Sequence, residues 1–81
     1  MLIDVRTIAE YAQRYIPTAV SIPYDTIAKY LPTTDTSALI IVYCASGKRS
    51  AAAKATLDKL GYTNVVDFGP VSRWKGALLT S

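Results

Sequence analysis

The residues that could do chemistry lie around one cysteine, Cys44, the only cysteine in the 81-residue chain. The chain also contains no histidine, so neither a Ser/His/Asp triad nor a Cys/His pair is available to activate a nucleophile. One cysteine without histidine lacks the ligand set of a zinc site and cannot form an intrachain disulfide. A reactive Cys44 would therefore depend on backbone dipoles and cationic side chains, and we expect no metal or other cofactor.

The segment after Cys44 has the composition of an anion-binding loop. Its residues are Ala45, Ser46, Gly47, Lys48, Arg49 and Ser50. Gly47 gives the backbone freedom for a tight turn, which allows successive N–H groups to point inward at an anion. Lys48 and Arg49 add positive charge, which we expect to lower the pKa of the thiol and to attract an anionic donor. A thiolate, a persulfide and thiosulfate are all anions that such a loop would hold.

A lone cysteine in a small domain is more often a buried and unreactive side chain, so the position of Cys44 decides the interpretation. Cys44 follows the apolar run 39–43, which is typical of a central strand in a parallel sheet, and a helix-forming segment comes after the loop. Ligands of open parallel sheets bind at the carboxyl ends of the strands. The sequence therefore predicts sulfur transfer: the thiolate accepts a sulfur atom, carries it as a persulfide and yields it to a second nucleophile.

Short strands alternate with helices along the chain, which predicts an α/β fold with a small, mainly parallel central sheet and helices on both faces. The predicted strands are residues 2–5, 19–22, 39–43 and 65–68. The predicted helices are residues 8–14, a brief helix that follows Asp25 and runs through Tyr30, residues 51–60, and a last short helix that follows Ser72.

Capping signals and apolar spacing support these helices. Thr7 and Glu10 form a capping box for the first helix, and Asp25 and Ser72 can cap the second and the last. In the helix over 51–60, the spacing of Ala53, Leu57 and Leu60 predicts that all three face the sheet. Gly61 is placed to end that helix, and the last helix would carry Trp74 and Leu78.

Length, composition and charge limit the classes of function. The 81 residues are 51% hydrophobic and 19% charged, which predicts one globular domain over residues 1–81. The net charge is +3, but the cations are scattered rather than arranged in a basic stripe, so we do not expect nucleic-acid binding. No apolar run is long enough to cross a bilayer, and no secretory signal is visible. We therefore expect a cytoplasmic protein without membrane contact, with an extracytoplasmic location open if a signal peptide has been removed.

Six segments follow one another in an order and spacing that resemble one protein family. They are 2–6 (Leu-Ile-Asp-Val-Arg), Glu10-Tyr11, 15–23 (Tyr-Ile-Pro-Thr-Ala-Val-Ser-Ile-Pro), 43–50 around the loop, 60–62 (Leu-Gly-Tyr), and Gly69 with Trp74. The chain in this way resembles the rhodanese-like sulfurtransferases, in particular the small single-domain bacterial members. It departs from the family motifs where Tyr15 replaces a histidine, Thr18 a glycine and Pro70 the second glycine of a closing Gly-Gly pair.

The resemblance implies specific roles and partners. It implies Cys44 as the persulfide carrier, the amides of the loop as a cradle for the sulfur, and Lys48 and Arg49 as anion-binding cations. The donor would be thiosulfate or another sulfane-sulfur compound, and the acceptor cyanide, a small thiol or a thioredoxin-like protein. Asp4 and Arg6 carry over either as supporting catalytic residues or as a structural ion pair near the site, and the sequence leaves this open, as it does the oligomeric state.

Two other functions stay open at this point. Cysteine phosphatases and arsenate reductases also place a thiolate and an arginine in an anion-binding loop, but they typically use a longer spacing than the four residues between Cys44 and Arg49. The shorter loop between Cys44 and Arg49 encloses a smaller space, which suits a single sulfur atom better than a tetrahedral oxyanion. The other alternative is a non-catalytic module that binds a partner or senses redox state through Cys44.

Overall fold

In the part of the chain that the structure describes, four parallel strands form one sheet in the spatial order β2-β1-β3-β4. The computed structural model describes residues 1–80, so the last residue of the predicted domain 1–81 lies outside the described residues. The strands are β1 (Leu2–Asp4), β2 (Val20–Ser21), β3 (Ile40–Cys44) and β4 (Val65–Pro70). All three pairings are parallel, which confirms the predicted α/β architecture.

Within the described residues 1–80, two α-helices and one 3₁₀ turn accompany the sheet. They are α1 (Ile8–Gln13), α2 (Lys48–Lys59) and the 3₁₀ turn Val71–Arg73. The predicted capping box of α1 is present: the Thr7 side chain accepts from the Glu10 amide, and the Glu10 carboxylate accepts from the Thr7 amide. Within residues 1–80, no helix has both the length and the apolar character needed to span a membrane.

The central strand β3 supplies side chains to the cores on both faces of the sheet, because successive residues of a strand point to opposite sides. Val42 and Cys44 belong to the larger core, which also contains Ala53 and Leu57 of α2. Tyr43 belongs to the smaller core on the other face. That core contains Ile16 and Ala19, with Leu2, Tyr11, Phe68, Val71 and Leu78 packed against it. Burial on both faces fixes the register of β3, so the position of Cys44 is fixed as well.

Helix α2 begins three residues earlier than predicted, directly after Gly47. Gly47 is the N-cap residue with a φ of 95°, a left-handed conformation, and no side chain caps the helix. Because no Ser, Thr, Asp or Asn marks this start, the sequence carries no ordinary N-cap signal there. At the other end, Gly61 has the predicted positive φ, 97°. Leu60, predicted to face the sheet, is instead 47% exposed, and the buried aromatic ring at this end belongs to Tyr62.

Two predicted short helices are wrong. Residues 25–30 form consecutive turns rather than a helix: the Thr26 amide donates to the Pro23 carbonyl at 3.0 Å, and the Lys29 amide donates to the Thr26 carbonyl at 2.9 Å. The segment is short, so packing of the fully buried Ile27 decides its shape rather than helix propensity. The helix expected from Ser72 is only the 3₁₀ turn 71–73, after which Leu79 forms a bridge with Tyr15.

Each departure from the family motifs has a defined place in the structure. Tyr15 stacks on Tyr11 with ring centroids 4.4 Å apart. Pro70 ends β4 beside the Cys44 loop, where a Cβ added to Gly47 would meet the Pro70 side chain at 3.6 Å. Thr18 has a φ of 74° and is the only non-glycine residue with positive φ in the described part of the chain.

The tight turn at Thr18 has the features of a type II turn. The Ala19 amide donates to the Ile16 carbonyl at 3.0 Å, which places Pro17 and Thr18 at the two central positions. Proline suits the first of these positions, whereas the second requires a positive φ and favours glycine. A β-branched residue such as threonine is strained in this conformation.

Thr18→Gly should therefore stabilise the protein by about 1 kcal/mol, which is the strain relieved less the entropy that glycine gains in the unfolded chain. Urea unfolding of the two proteins measures the difference. The matched control is Thr34→Gly, because Thr34 is exposed and has no positive φ, and it should be neutral or slightly destabilising. If Thr18→Gly were as destabilising as the control, the turn would not be strained.

Candidate active site

Cys44 is the last residue of β3 and lies four residues before the first residue of α2. The residue is fully buried, with 0% exposure. The predicted position at the carboxyl end of the central strand and before a helix start is therefore observed. The positive end of the α2 dipole also lies beside the sulfur, an arrangement that favours an anion.

The loop turns its backbone toward the sulfur. The Gly47 amide donates a hydrogen bond to Cys44 Sγ at 2.9 Å. The Ser50 hydroxyl lies 3.5 Å from the same sulfur and donates to the Gly47 carbonyl at 3.1 Å. The left-handed conformation of Gly47 makes this possible, because it allows the chain to reverse direction between the strand and the helix.

These contacts lower the pKa of the Cys44 thiol. Burial by itself raises the pKa, but hydrogen bonds from the Ser50 side chain and from the amides of Ser50, Gly47 and Ser46 outweigh it and lower the pKa below its ordinary value of 9.0. The direction agrees with the sequence prediction. The predicted cause does not, because the principal groups that lower the pKa are amides and a hydroxyl rather than Lys48 and Arg49.

The Ser50 hydroxyl can respond to the ionisation of Cys44. While the sulfur carries its proton, the thiol donates to Ser50 Oγ and the hydroxyl donates to the Gly47 carbonyl. A hydroxyl has one proton and can rotate, so after ionisation it can turn that proton toward the thiolate. Ser50 is fully buried, so water does not compete for this hydrogen bond.

The guanidinium of Arg49 is not free to turn into the loop, because it is bound to the carboxylate of Glu10 in α1. Its two terminal nitrogens donate to Glu10 Oε1 at 2.7 Å and to Oε2 at 3.1 Å. The hydrogen bond from Arg49 lowers the pKa of Glu10 to about 2. The charge of Cys44 helps to raise the pKa of Arg49, after the larger effect of Glu10, so Arg49 is still close enough to interact with an anion at the sulfur.

The other loop residues face outward to different degrees. Ala45, Ser46 and Lys48 are exposed. No ion pair of Lys48 is found within residues 1–80. In the same part of the chain, no group of three His, Cys, Asp or Glu side chains could hold a metal ion.

Asp4 and Arg6 form a buried ion pair at the carboxyl end of β1. Arg6 Nη2 lies 2.6 Å from Asp4 Oδ2, and Arg6 Nε lies 3.0 Å from each carboxylate oxygen. Asp4 is 0% exposed and Arg6 is 8% exposed. Tyr43 donates to Asp4 Oδ2 at 2.7 Å and accepts from the Ile16 amide at 3.1 Å. The pair thus belongs to a network on the sheet face opposite to the sulfur, and this placement favours the structural interpretation.

Two residues of the site were missed by sequence reasoning. The sequence places Glu10 in the helix cap and in a family-like segment, but nothing in the sequence links α1 to Arg49, which is 39 positions away. The sequence places Tyr43 in the apolar strand and at the start of the family-like segment 43–50, and a tyrosine in a fully buried strand needs a partner for its hydroxyl. That requirement predicts a polar partner but does not identify Asp4.

The family is shown by a comparison with protein-family models. The model described as the rhodanese-like domain matches residues 1–76. The chain belongs to the rhodanese-like domain family. The sulfurtransferase relatives of this rhodanese-like chain include thiosulfate sulfurtransferase PspE of Escherichia coli, which is 35% identical over 83% of the chain. A sulfurtransferase of Allochromatium vinosum is 36% identical over 91% of the chain and 70% of that protein.

Solved structures of rhodanese-like proteins have the same fold. A rhodanese with anions from E. coli superposes with a TM-score of 0.84 and 31% identity, over 99% of this chain and 96% of that one. The human single-domain sulfurtransferase TSTD1 superposes with a TM-score of 0.85 and 26% identity, over 94% and 82% of the two chains. Some relatives are longer: the chain spans 66% of the length of PspE and 41% of that of YrkF from Bacillus subtilis.

If Asp4 and Arg6 are structural, Asp4→Asn should destabilise the protein by about 3 kcal/mol, because it leaves a buried guanidinium without its counter-charge. Urea unfolding measures the loss. The alkylation rate of Cys44 by iodoacetamide, measured where the variant is folded, should change less than about twofold, since no proton or charge at the sulfur depends on Asp4.

The control is Asp58→Asn, which removes the same charge from an exposed pair with Lys54 at 2.8 Å. This control substitution should lower the free energy of unfolding by no more than about 0.5 kcal/mol. A stable Asp4→Asn protein with a much less reactive Cys44 would instead indicate a direct role of Asp4 in the chemistry.

Proposed function

We propose that this rhodanese-like protein is a thiosulfate sulfurtransferase in which Cys44 accepts a sulfane sulfur as a persulfide and passes it to a nucleophilic acceptor. One observation carries the proposal: the Gly47 amide lies 2.9 Å from Cys44 Sγ at the start of α2, and the loop lowers the pKa of the thiol. A thiol whose ionisation the loop favours in this way needs no histidine base.

In the first half-reaction, the Cys44 thiolate attacks the outer sulfur of thiosulfate. A sulfur–sulfur bond forms to Cys44, the sulfur–sulfur bond of thiosulfate breaks, and sulfite leaves with the bonding electron pair. The product is an anionic persulfide. The N–H groups of Ser46, Gly47 and Ser50, which already act on the thiolate, are suited to stabilise this charge without reorganising.

In the second half-reaction, the acceptor attacks the outer persulfide sulfur. With cyanide, a carbon–sulfur bond forms, the sulfur–sulfur bond breaks, and thiocyanate leaves while Cys44 returns to a thiolate. The same amides that hold the persulfide stabilise the thiolate that departs from it. One relative, the thiosulfate:glutathione sulfurtransferase of Saccharomyces cerevisiae, is 32% identical over 91% of this chain. Its name supports a small thiol as the acceptor.

Access to the sulfur requires movement, because Cys44 is 0% exposed. Ala45 and Ser46 are the exposed part of the segment that connects β3 to α2, so they are best placed to open a path. A site that opens only briefly also shields the persulfide from other thiols, which would otherwise discharge it.

The arrangement is less suited to a phosphatase or an arsenate reductase. In those enzymes, an arginine at the end of the loop must turn inward to bind the oxyanion. Here the guanidinium of Arg49 is bound through both terminal nitrogens to Glu10. The loop offers amides to a single sulfur atom instead.

The test is the formation of thiocyanate from thiosulfate and cyanide. The wild type should turn over with the parallel double-reciprocal lines of a two-step covalent mechanism. Cys44→Ser should lose at least roughly a thousandfold in kcat/KM, with an unchanged circular dichroism spectrum as the control for folding.

A folded wild type that forms neither thiocyanate with cyanide nor glutathione persulfide with glutathione would contradict the proposal. That result would favour a non-catalytic binding module or redox sensor. Turnover that survives in Cys44→Ser would also contradict it, because the sulfur would then not pass through Cys44.

A further inference from the structure

A single carboxylate connects helix α1 to the catalytic loop. Glu10 binds Arg49 through both carboxylate oxygens, at 2.7 and 3.1 Å. The same carboxylate accepts from the amide and the hydroxyl of Thr7, each at 3.0 Å. Glu10 is therefore held by its own helix start on one side and by the guanidinium on the other.

The ion pair neutralises the arginine that ends the loop. The side chains are only partly exposed, 26% for Arg49 and 34% for Glu10, so the solvent screens the pair incompletely. The pKa of Glu10, about 2, leaves the carboxylate charged at neutral pH. Arg49 lies in the first turn of α2 next to Ser50, whose hydroxyl is 3.5 Å from Cys44 Sγ, so the charges of Arg49 and Glu10 both lie near the path of an anion that approaches the sulfur.

We propose that Glu10 sets the charge selectivity of the Cys44 site: by neutralising Arg49, it disfavours multiply charged sulfur donors relative to singly charged and uncharged ones. This inference rests on the proposed function for its biological meaning. It assigns Glu10 as a specificity-determining residue that acts through Arg49: thiosulfate, a dianion, remains a donor but loses more attraction to the site through this neutralisation than organic persulfides and thiosulfonates do, because those donors carry a single charge.

A merely structural ion pair makes a different prediction. If Glu10 and Arg49 only fastened α1 to the loop, removing either partner would loosen the loop in the same way. If Glu10 sets the local charge, the two removals have opposite effects on an anionic reagent. Loss of the Glu10 charge leaves an uncompensated cation, whereas loss of Arg49 leaves an uncompensated carboxylate.

The substitution Glu10→Gln separates charge from structure. Glutamine at this position of a capping box can still accept from the N-cap amide, so α1 should keep its start. Glutamine can also accept one hydrogen bond from Arg49. The control is Asp58→Asn, which makes the same change in net charge at a pair with Lys54 on the exposed side of α2.

The experiment compares the alkylation of Cys44 by iodoacetate, an anion, and by iodoacetamide, its neutral analogue. In both reactions the thiolate forms a carbon–sulfur bond and iodide leaves. The ratio of the two rate constants therefore cancels changes in thiol pKa and in accessibility. Cys44 is the only cysteine of the chain, so the reaction reports on one site, and it requires no sulfur transfer.

The iodoacetate-to-iodoacetamide ratio should rise about twofold to fivefold in Glu10→Gln, fall by a similar factor in Arg49→Gln, and stay unchanged in Asp58→Asn. An unchanged ratio in Glu10→Gln, or a shift in the same direction for Glu10→Gln and Arg49→Gln, would overturn the inference. If Glu10→Gln were unfolded, Glu10→Ala would replace it and its ratio should rise as well, because Arg49→Gln alone would show a fall from the loss of the Arg49 cation whatever the role of Glu10.

The donor dependence then tests the link to the proposed reaction. In Glu10→Gln the KM for thiosulfate should fall by about twofold to tenfold, and the KM for the singly charged methanethiosulfonate anion, which passes its outer sulfur to Cys44 as methanesulfinate leaves, should fall by a smaller factor. If the wild type transfers no sulfur, the proposed function fails while the alkylation ratios still stand or fall on their own. If the wild type transfers sulfur but both KM values are unchanged in Glu10→Gln, the inference fails and the function survives.

Discussion

The hydrogen bond from the Gly47 amide to the sulfur of Cys44 is the interaction on which the rest of the site depends. It exists because Gly47 has a φ of 95°, which lets the chain turn from the end of β3 into the start of α2. Pro70 packs behind this turn. The chain contains no histidine. The amides of Ser46, Gly47 and Ser50, together with the Ser50 hydroxyl, therefore replace the base that other cysteine enzymes use.

Adjacent residues of β3 pack into different cores, and this packing supports the loop. Cys44 faces the core beneath α2, whereas Tyr43 faces the opposite core and donates to the buried Asp4. Through Asp4 and Arg6, Tyr43 joins the carboxyl ends of the two central strands. The carboxyl end of β3, which carries the sulfur, is thus held in place by contacts on the opposite face of the sheet. The face that carries the sulfur is left to the residues of the loop.

Much of this arrangement follows from sequence patterns that act locally. The β-branched run before Cys44 predicts a central strand, and the position of Cys44 after it predicts the site. Long-range contacts were not predictable in the same way: Glu10 binds Arg49 across 39 positions, and this contact changes the role expected of the arginine. The start of α2 was missed because its cap is the backbone conformation of Gly47 and not a side chain. Leu60 was misplaced because the helix ends before its periodic pattern does.

The central claim is that the folded loop favours the anionic form of the Cys44 sulfur, and a direct titration of that thiol tests it. The ultraviolet absorbance of the thiolate, measured against pH with the Cys44→Ser protein as the blank, gives the pKa. In the folded protein we expect a midpoint below 9.0, the ordinary value of a cysteine thiol, and a return toward that value in concentrated urea, where the amides no longer converge. A midpoint at or above 9.0 in the folded protein would contradict the account.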